Sequence, residues 1–165
     1  MMDESQLTVY ERTQCRKIKE WEAAEPGIVG RAASFLAKPV GGLVQMIPTG
    51  VVAAALKSAN FVGKNLADVQ DILKEGEVTA VELLRHIRAR RCDALADGVL
   101  NRSIGLAAAE GGATGVAGMA GLAADIPALM VLVLRTIHKI GYCYGYASRT
   151  AEEDSFALQI LAAAS

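Results

Sequence analysis

Aromatic side chains are scarce in this 165-residue chain, which has three Phe, one Trp and four Tyr, and strand-length alternating runs are missing as well. Both are needed to cover a pleated face, so an all-β fold is excluded. An excess of one charge is also lacking: 17 Lys and Arg oppose 18 Asp and Glu, giving a net charge of −1 and a pI near 6.1. That removes the global electrostatic case for nucleic acid as a partner. The three cysteines, Cys15, Cys92 and Cys143, are odd in number and never in a Cys-x-x-Cys pair. They argue against a disulfide framework and for a reducing, cytoplasmic setting. Met1-Met2-Asp3-Glu4-Ser5 lacks the basic and apolar regions of a signal peptide. The longest charge-free run, the 18 residues Pro39 to Leu56, only reaches the lower limit of a membrane span. Pro39, Gly41, Gly42, Gln45, Pro48 and Gly50 interrupt it, so it reads as a buried or membrane-surface segment.

What the chain does have is 29 Ala, 16 Gly and a mean hydropathy of +0.28. The expected fold is all-α, a single helical domain over 1–165 with six to nine helices. Leu7, Tyr10, Gln14, Ile18 and Trp21 recur at helical spacing in a charged first helix (1–25), with Tyr10, Ile18 and Trp21 expected to face inward and Pro26-Gly27 to end it. A short helix is expected over 28–37 before Pro39. Thr49 is placed to cap a helix from Gly50 to Phe61, with Val52, Ala55, Leu56 and Ala59 on one face and Gly63 as a break. Leu66, Val69, Ile72 and Leu73 resume the pattern up to Gly76. Val78, Val81, Leu84 and Ile87 form the inner face of a helix running to Ala96 and closed by Gly98. Asp125-Ile126-Pro127 is expected to open a strongly apolar helix, because an Asp N-cap followed by an early proline wastes no backbone donor. Thr150 and Glu153 have capping-box spacing before a last helix through Phe156, Ile160 and Leu161.

Between Ile104 and Ala124 lie Gly105, Gly111, Gly112, Gly115, Gly118 and Gly121, with alanine in most gaps. A phosphate-binding loop would need a preceding strand and a Gly-x-Gly or Gly-Lys-Ser/Thr pattern, and none occurs. Gly105, Ala109, Ala113, Ala117 and Gly121 instead form a small-residue ridge at spacing four, which lets another helix backbone approach closely, in a soluble core or at a membrane. The hairpin expected over 104–146 joins this Gly-rich helix to the apolar one. Arg85, Arg88, Arg90 and Arg91 form one basic cluster, either a solvated face or a patch for anionic lipid head groups. His86 and His138 stand outside metal-binding spacings. No cofactor is implied.

Trp21, Lys38-Pro39, the run Glu110 to Gly118, Leu122 to Leu129 with its Asp-Ile-Pro, Tyr144-Gly145-Tyr146 and Phe156 to Leu161 together resemble the EcsC protein family. The resemblance runs from about Trp21 to the end of the chain. It implies a bacterial helical protein linked by its family name to an ABC transporter, and brings no agreed catalytic residues. Members usually continue beyond the helix in which this chain stops, so a short or truncated member is expected. The first functional expectation is a non-enzymatic protein, cytoplasmic or peripheral on the inner face of the membrane, docking to a membrane surface or membrane complex through the hairpin. A hydrolase with Asp125, His138, Tyr144 and Tyr146 near one pocket is the alternative, and a soluble homo-oligomeric module is another.

Overall fold

The computed structural model describes residues 7–23, 49–114, 118–147 and 149–163. Among the described residues there are six α-helices, one 3-10 helix and no strand. The helix expected over 28–37, Lys38-Pro39 and Gly115 lie outside them. The chain divides into two units, Met1–Val52 and Ala53–Ser165.

In the first unit, α1 spans Val9–Ala23. Thr8 starts it with a capping box: the Thr8 N–H donates to Glu11 Oε2 at 2.7 Å, and the Glu11 N–H donates to Thr8 Oγ1 at 3.2 Å. The inward packing expected of this helix is not found. α1 has no buried residue, Trp21 and Ile18 are 70% and 54% exposed, and Tyr10 is half-buried. Between these apolar positions stand Arg16, Lys17, Lys19 and Glu20, so the apolar stripe is too thin to hold a partner helix alone.

The second unit is built around an antiparallel hairpin of two 26-residue helices, α4 (Ala89–Thr114) and α5 (Gly118–Cys143). Ser103 meets Thr136 and Asp93 meets Tyr144 across the pair, which fixes both direction and register. α2 (Thr49–Leu66), from Ala53 onward, with α3 (Gln70–Gly76), the 3-10 helix (Val81–His86) and α6 (Ala151–Ala163), completes it. Ile72, Val81, Leu84, Leu95, Val99, Tyr142 and Cys143 share the buried core, with Val78 and Ile87 packed on its edge.

Several expected boundaries move. Gly63 does not break α2. It is buried, and a Cβ placed there would come within 2.9 Å of the Arg135 nitrogen and 3.0 Å of the Val131 oxygen. A close backbone approach is made at Gly63, against α5, while of the glycines on the expected Gly105–Gly121 ridge only the surroundings of Gly105 are described. Gly105 itself is exposed, with nothing within 4 Å of a built Cβ. The ridge is also divided, since α4 ends at Thr114 and α5 begins at Gly118. Gly98 lies inside α4, where docking of the helix offsets the ~1 kcal/mol propensity cost. The segment from Val78 splits, because Ile87 is extended (ψ 165°) between the 3-10 helix and α4.

Asp125 does not cap a helix start. α5 runs through it from Gly118, with Pro127 inside the helix. The missing proline N–H leaves the carbonyl four residues earlier without its helical partner, a defect the helix tolerates. Gly76 does end α3, with Glu77 in the left-handed region (φ 55°) as C-cap. At α6 the capping box forms as read: the Thr150 N–H donates to Glu153 Oε2 (3.1 Å) and the Glu153 N–H to Thr150 Oγ1 (3.3 Å). That helix seats Ala157 in the interior and leaves Phe156 61% exposed.

Candidate functional site

Three polar clusters and one apolar surface make up the chemistry of the second unit. The first cluster is charged and surrounds a cleft of about 90 Å³ between α3, α4 and α5, lined by Asp71, Val99, Arg102, Ser103, Leu106, Arg135 and Lys139. Lys139, 5% exposed, donates to Asp71 Oδ2 at 2.6 Å. Arg102 holds Glu75 with both terminal nitrogens (2.8 and 3.5 Å) and stands 3.8 Å from Asp71. Arg135 Nε donates to the Leu66 carbonyl at 2.8 Å. Burial works to raise the Asp71 pKa, but the Lys139 ammonium, the Ile72 N–H and Arg102 together outweigh it and hold Asp71 below its ordinary value. None of these residues stands out in the sequence, because they come from three helices and helical spacing links only those within one helix.

The second cluster joins α2, α5 and α6. His138, 2% exposed, has Nε2 2.9 Å from Asn60 Oδ1. The Asn60 amide donates to the Asp154 carbonyl, and the Lys64 ammonium bonds both Asp154 carboxylate oxygens at 2.8 and 3.0 Å. Desolvation, the larger cause, lowers the His138 pKa, with the opposed charges of Asp154 and Lys64 facing it. A buried imidazole held by an amide in this way ties α5 to α2.

The third cluster is the turn Tyr144-Gly145-Tyr146 after α5. Gly145 has φ 83°, and its carbonyl accepts a 2.8 Å hydrogen bond from Arg85 Nε. The Arg85 guanidinium lies 4.7 Å from the Tyr146 ring centre, and the Tyr144 hydroxyl donates to Asp93 at 2.5 Å. Burial first, then Asp93, push the Tyr144 hydroxyl well above its usual pKa. Burial likewise pushes the Cys143 thiol up to about 12, far from the thiolate a nucleophile needs.

Residues 12–165 match the EcsC protein family. The chain belongs to that family. A curated relative, the uncharacterized protein YdbA of Bacillus subtilis (strain 168), is 34% identical over 92 residues, or 56% of this chain. The match covers 34% of YdbA, so the chain spans about a third of that relative. No solved structure matches.

Within this EcsC chain the expected hydrolase grouping does not assemble. Asp125 and His138 share α5 thirteen residues apart, roughly 20 Å at 1.5 Å per residue. His138 faces Asn60, while Tyr144 turns to Asp93 and Tyr146 to Arg85. The basic cluster divides as well: Arg85 is committed to the turn and Arg91 to Glu77 (2.8 Å), leaving Arg88 and Arg90 exposed. The side chains at 110–114 and 118–126 are not described. Among the described residues no group of three or more His, Cys, Asp or Glu is arranged to hold a metal ion. Among them, too, no helix is long and apolar enough to cross a membrane.

The apolar surface lies on the hairpin. Leu100, Ile104 and Leu106 on α4 are 44%, 57% and 46% exposed, and Leu129 on α5 is 51% exposed. Ala108, Ala109, Pro127 and Ala128 are exposed with them. From Ser103 to Leu134 only Glu110 and Asp125 carry charge.

Proposed function

We propose that this EcsC protein docks peripherally on the inner face of a cell membrane, with the distal part of the α4–α5 hairpin lying in the head-group region. The exposed apolar set Leu100, Ile104, Leu106 and Leu129, in a stretch from Leu100 to Leu134 with three charges among 35 residues, is the observation that carries this reading. Scattered single leucines on a surface need no explanation, but Leu100 and Ile104 share one face of α4 at spacing four, and the exposed Leu106, Leu129, Ala108, Ala109, Pro127 and Ala128 add apolar surface to the same hairpin. Burial in the acyl boundary removes that surface from water at ~25 cal/mol per Å² without requiring a span.

The role is one of attachment, with no reaction assigned. Ile104→Asp combined with Leu129→Asp tests it by vesicle flotation. Wild type is expected to float, and the double variant to stay at the bottom with a melt little changed, since both side chains are more than half exposed and neither lines the cleft. Equal flotation of the two proteins overturns the proposal. A patch that serves self-association shows instead as a concentration-dependent mass in light scattering, abolished by the same substitutions without any vesicle binding.

A further inference from the structure

The cleft beside Leu106 contains more positive charge than its own structure uses. Lys139 is buried and its charge is answered by Asp71, as a buried ammonium requires. Arg102 is answered by Glu75. Arg135, one helical turn before Lys139 on the same face of α5, is half-buried, and among the described residues only its Nε is engaged, on the Leu66 carbonyl. Its side chain lines the cleft, and no described residue is a partner of its two terminal amino groups. Among the described residues, three cations against two carboxylates leave a surplus of one, and Asp71 is the carboxylate on the lining.

At about 90 Å³ the cleft is small and suits a compact anionic group. Pockets that enclose whole metabolites measure ~300–1,000 Å³. Leu106, 46% exposed, gives the cleft an apolar wall beside its cations. A ligand with a phosphate at one end and hydrocarbon at the other would meet both features in this one cleft.

We infer that the cleft between α3, α4 and α5 is a head-group site for an anionic phospholipid, with the Arg135 guanidinium as the cation that takes the phosphate. The inference rests on the membrane reading above, and adds the class of lipid and the residue that reads it. The test is flotation of the full chain with vesicles of phosphatidylcholine alone and of phosphatidylcholine containing phosphatidylglycerol. Wild type is expected to be recovered several-fold better on the anionic vesicles. Arg135→Gln should lower that recovery by about five-fold, the weight of one basic residue near an anionic surface. Arg135→Lys, which keeps the charge and loses the Nε bond to Leu66, should restore most of it, and Arg88→Gln with Arg90→Gln should leave it intact.

Equal recovery of wild type on both vesicles overturns the head-group site while leaving hairpin docking in place. Loss with Arg135→Lys as severe as with Arg135→Gln also overturns it, by showing that the bond to Leu66 and not the charge matters. Absence from both vesicles defeats the membrane reading and the lipid assignment together. A thermal shift in inorganic phosphate over chloride at equal ionic strength, lost in Arg135→Gln, would then reassign the cleft to a free oxyanion.

Discussion

Gly145 carries a constraint that no other residue can meet. Its φ of 83° already costs an L side chain ~1–2 kcal/mol, and a Cβ would run into Arg85 from both its side chain and its backbone. Gly145→Ala is therefore expected to lose more than 2 kcal/mol in urea unfolding. Tyr146→Ala, which removes a ring 56% exposed under the same arginine, should lose no more than ~1 kcal/mol. At Gly63 two effects of opposite sign compete. Alanine gains up to ~1 kcal/mol of helix propensity, but its methyl would stand 2.9–3.1 Å from α5, mostly against backbone that cannot yield cheaply. Overpacking of ~1–3 kcal/mol wins, so Gly63→Ala should lower the urea midpoint. The sequence distinguishes these glycines poorly. Spacing drew attention to Gly105, which faces open space, because a ridge of small residues looks the same whether a helix or solvent lies over it. Gly63 stands alone in its segment, and its need for smallness comes from Val131 to Arg135, almost 70 residues away.

Helices were legible where local chemistry alone sets them. Thr150 and Glu153 satisfy each other's backbone donors, so the start of α6 follows from four residues, and Thr150→Ala should cost about 1 kcal/mol. Thr8 and Glu11 do the same for α1, a capping box that the sequence reading did not single out. Boundaries set by packing were not legible. Gly98 and Gly63 stay helical because docking outweighs propensity, and Asp125-Ile126-Pro127 has every mark of a helix start yet lies nine residues into α5. The proline offers a direct check. In an interior position Pro127→Ala restores a backbone hydrogen bond and relieves a clash worth ~3 kcal/mol, and Pro127 is exposed, so no packing is lost. A melt raised by the equivalent of ~1–3 kcal/mol is expected. No change at all would return Pro127 to the first turn, where its missing N–H is free of cost.

Over the second unit as a whole, the polar residues divide into those that hold it together and those left over. His138, Asn60, Lys64 and Asp154 tie α2 and α6 to α5, while Asp71, Lys139, Arg102 and Glu75 tie α3 to the hairpin. No motif announces either set, since each member comes from a different part of the chain and acquires its meaning only when the helices meet. Both sets make stability depend on pH in the same direction. The folded state depresses the His138 pKa below its ordinary 6.5, so on acidification the unfolded chain takes up a proton there first. More protons on the unfolded state means stability rising with pH. The contribution is complete above about pH 6.5 and is lost as pH falls toward the folded value. Asp71, also depressed, gives a contribution complete above the ordinary carboxylate value of about 3.9 and lost below it. Urea midpoints taken from pH 8 down to 3 should therefore fall in two stages, with no decline between pH 8 and 7. His138→Gln should be less stable throughout and lack the first stage. Asp71→Asn should lack the second, and should lose about 2–3 kcal/mol at neutral pH, less than the ~3–5 kcal/mol of a fully buried pair because Asp71 keeps about a third of its surface in water. A first stage that persists in His138→Gln would place the proton uptake elsewhere and remove His138 from the ties that hold α2 and α6 to the hairpin.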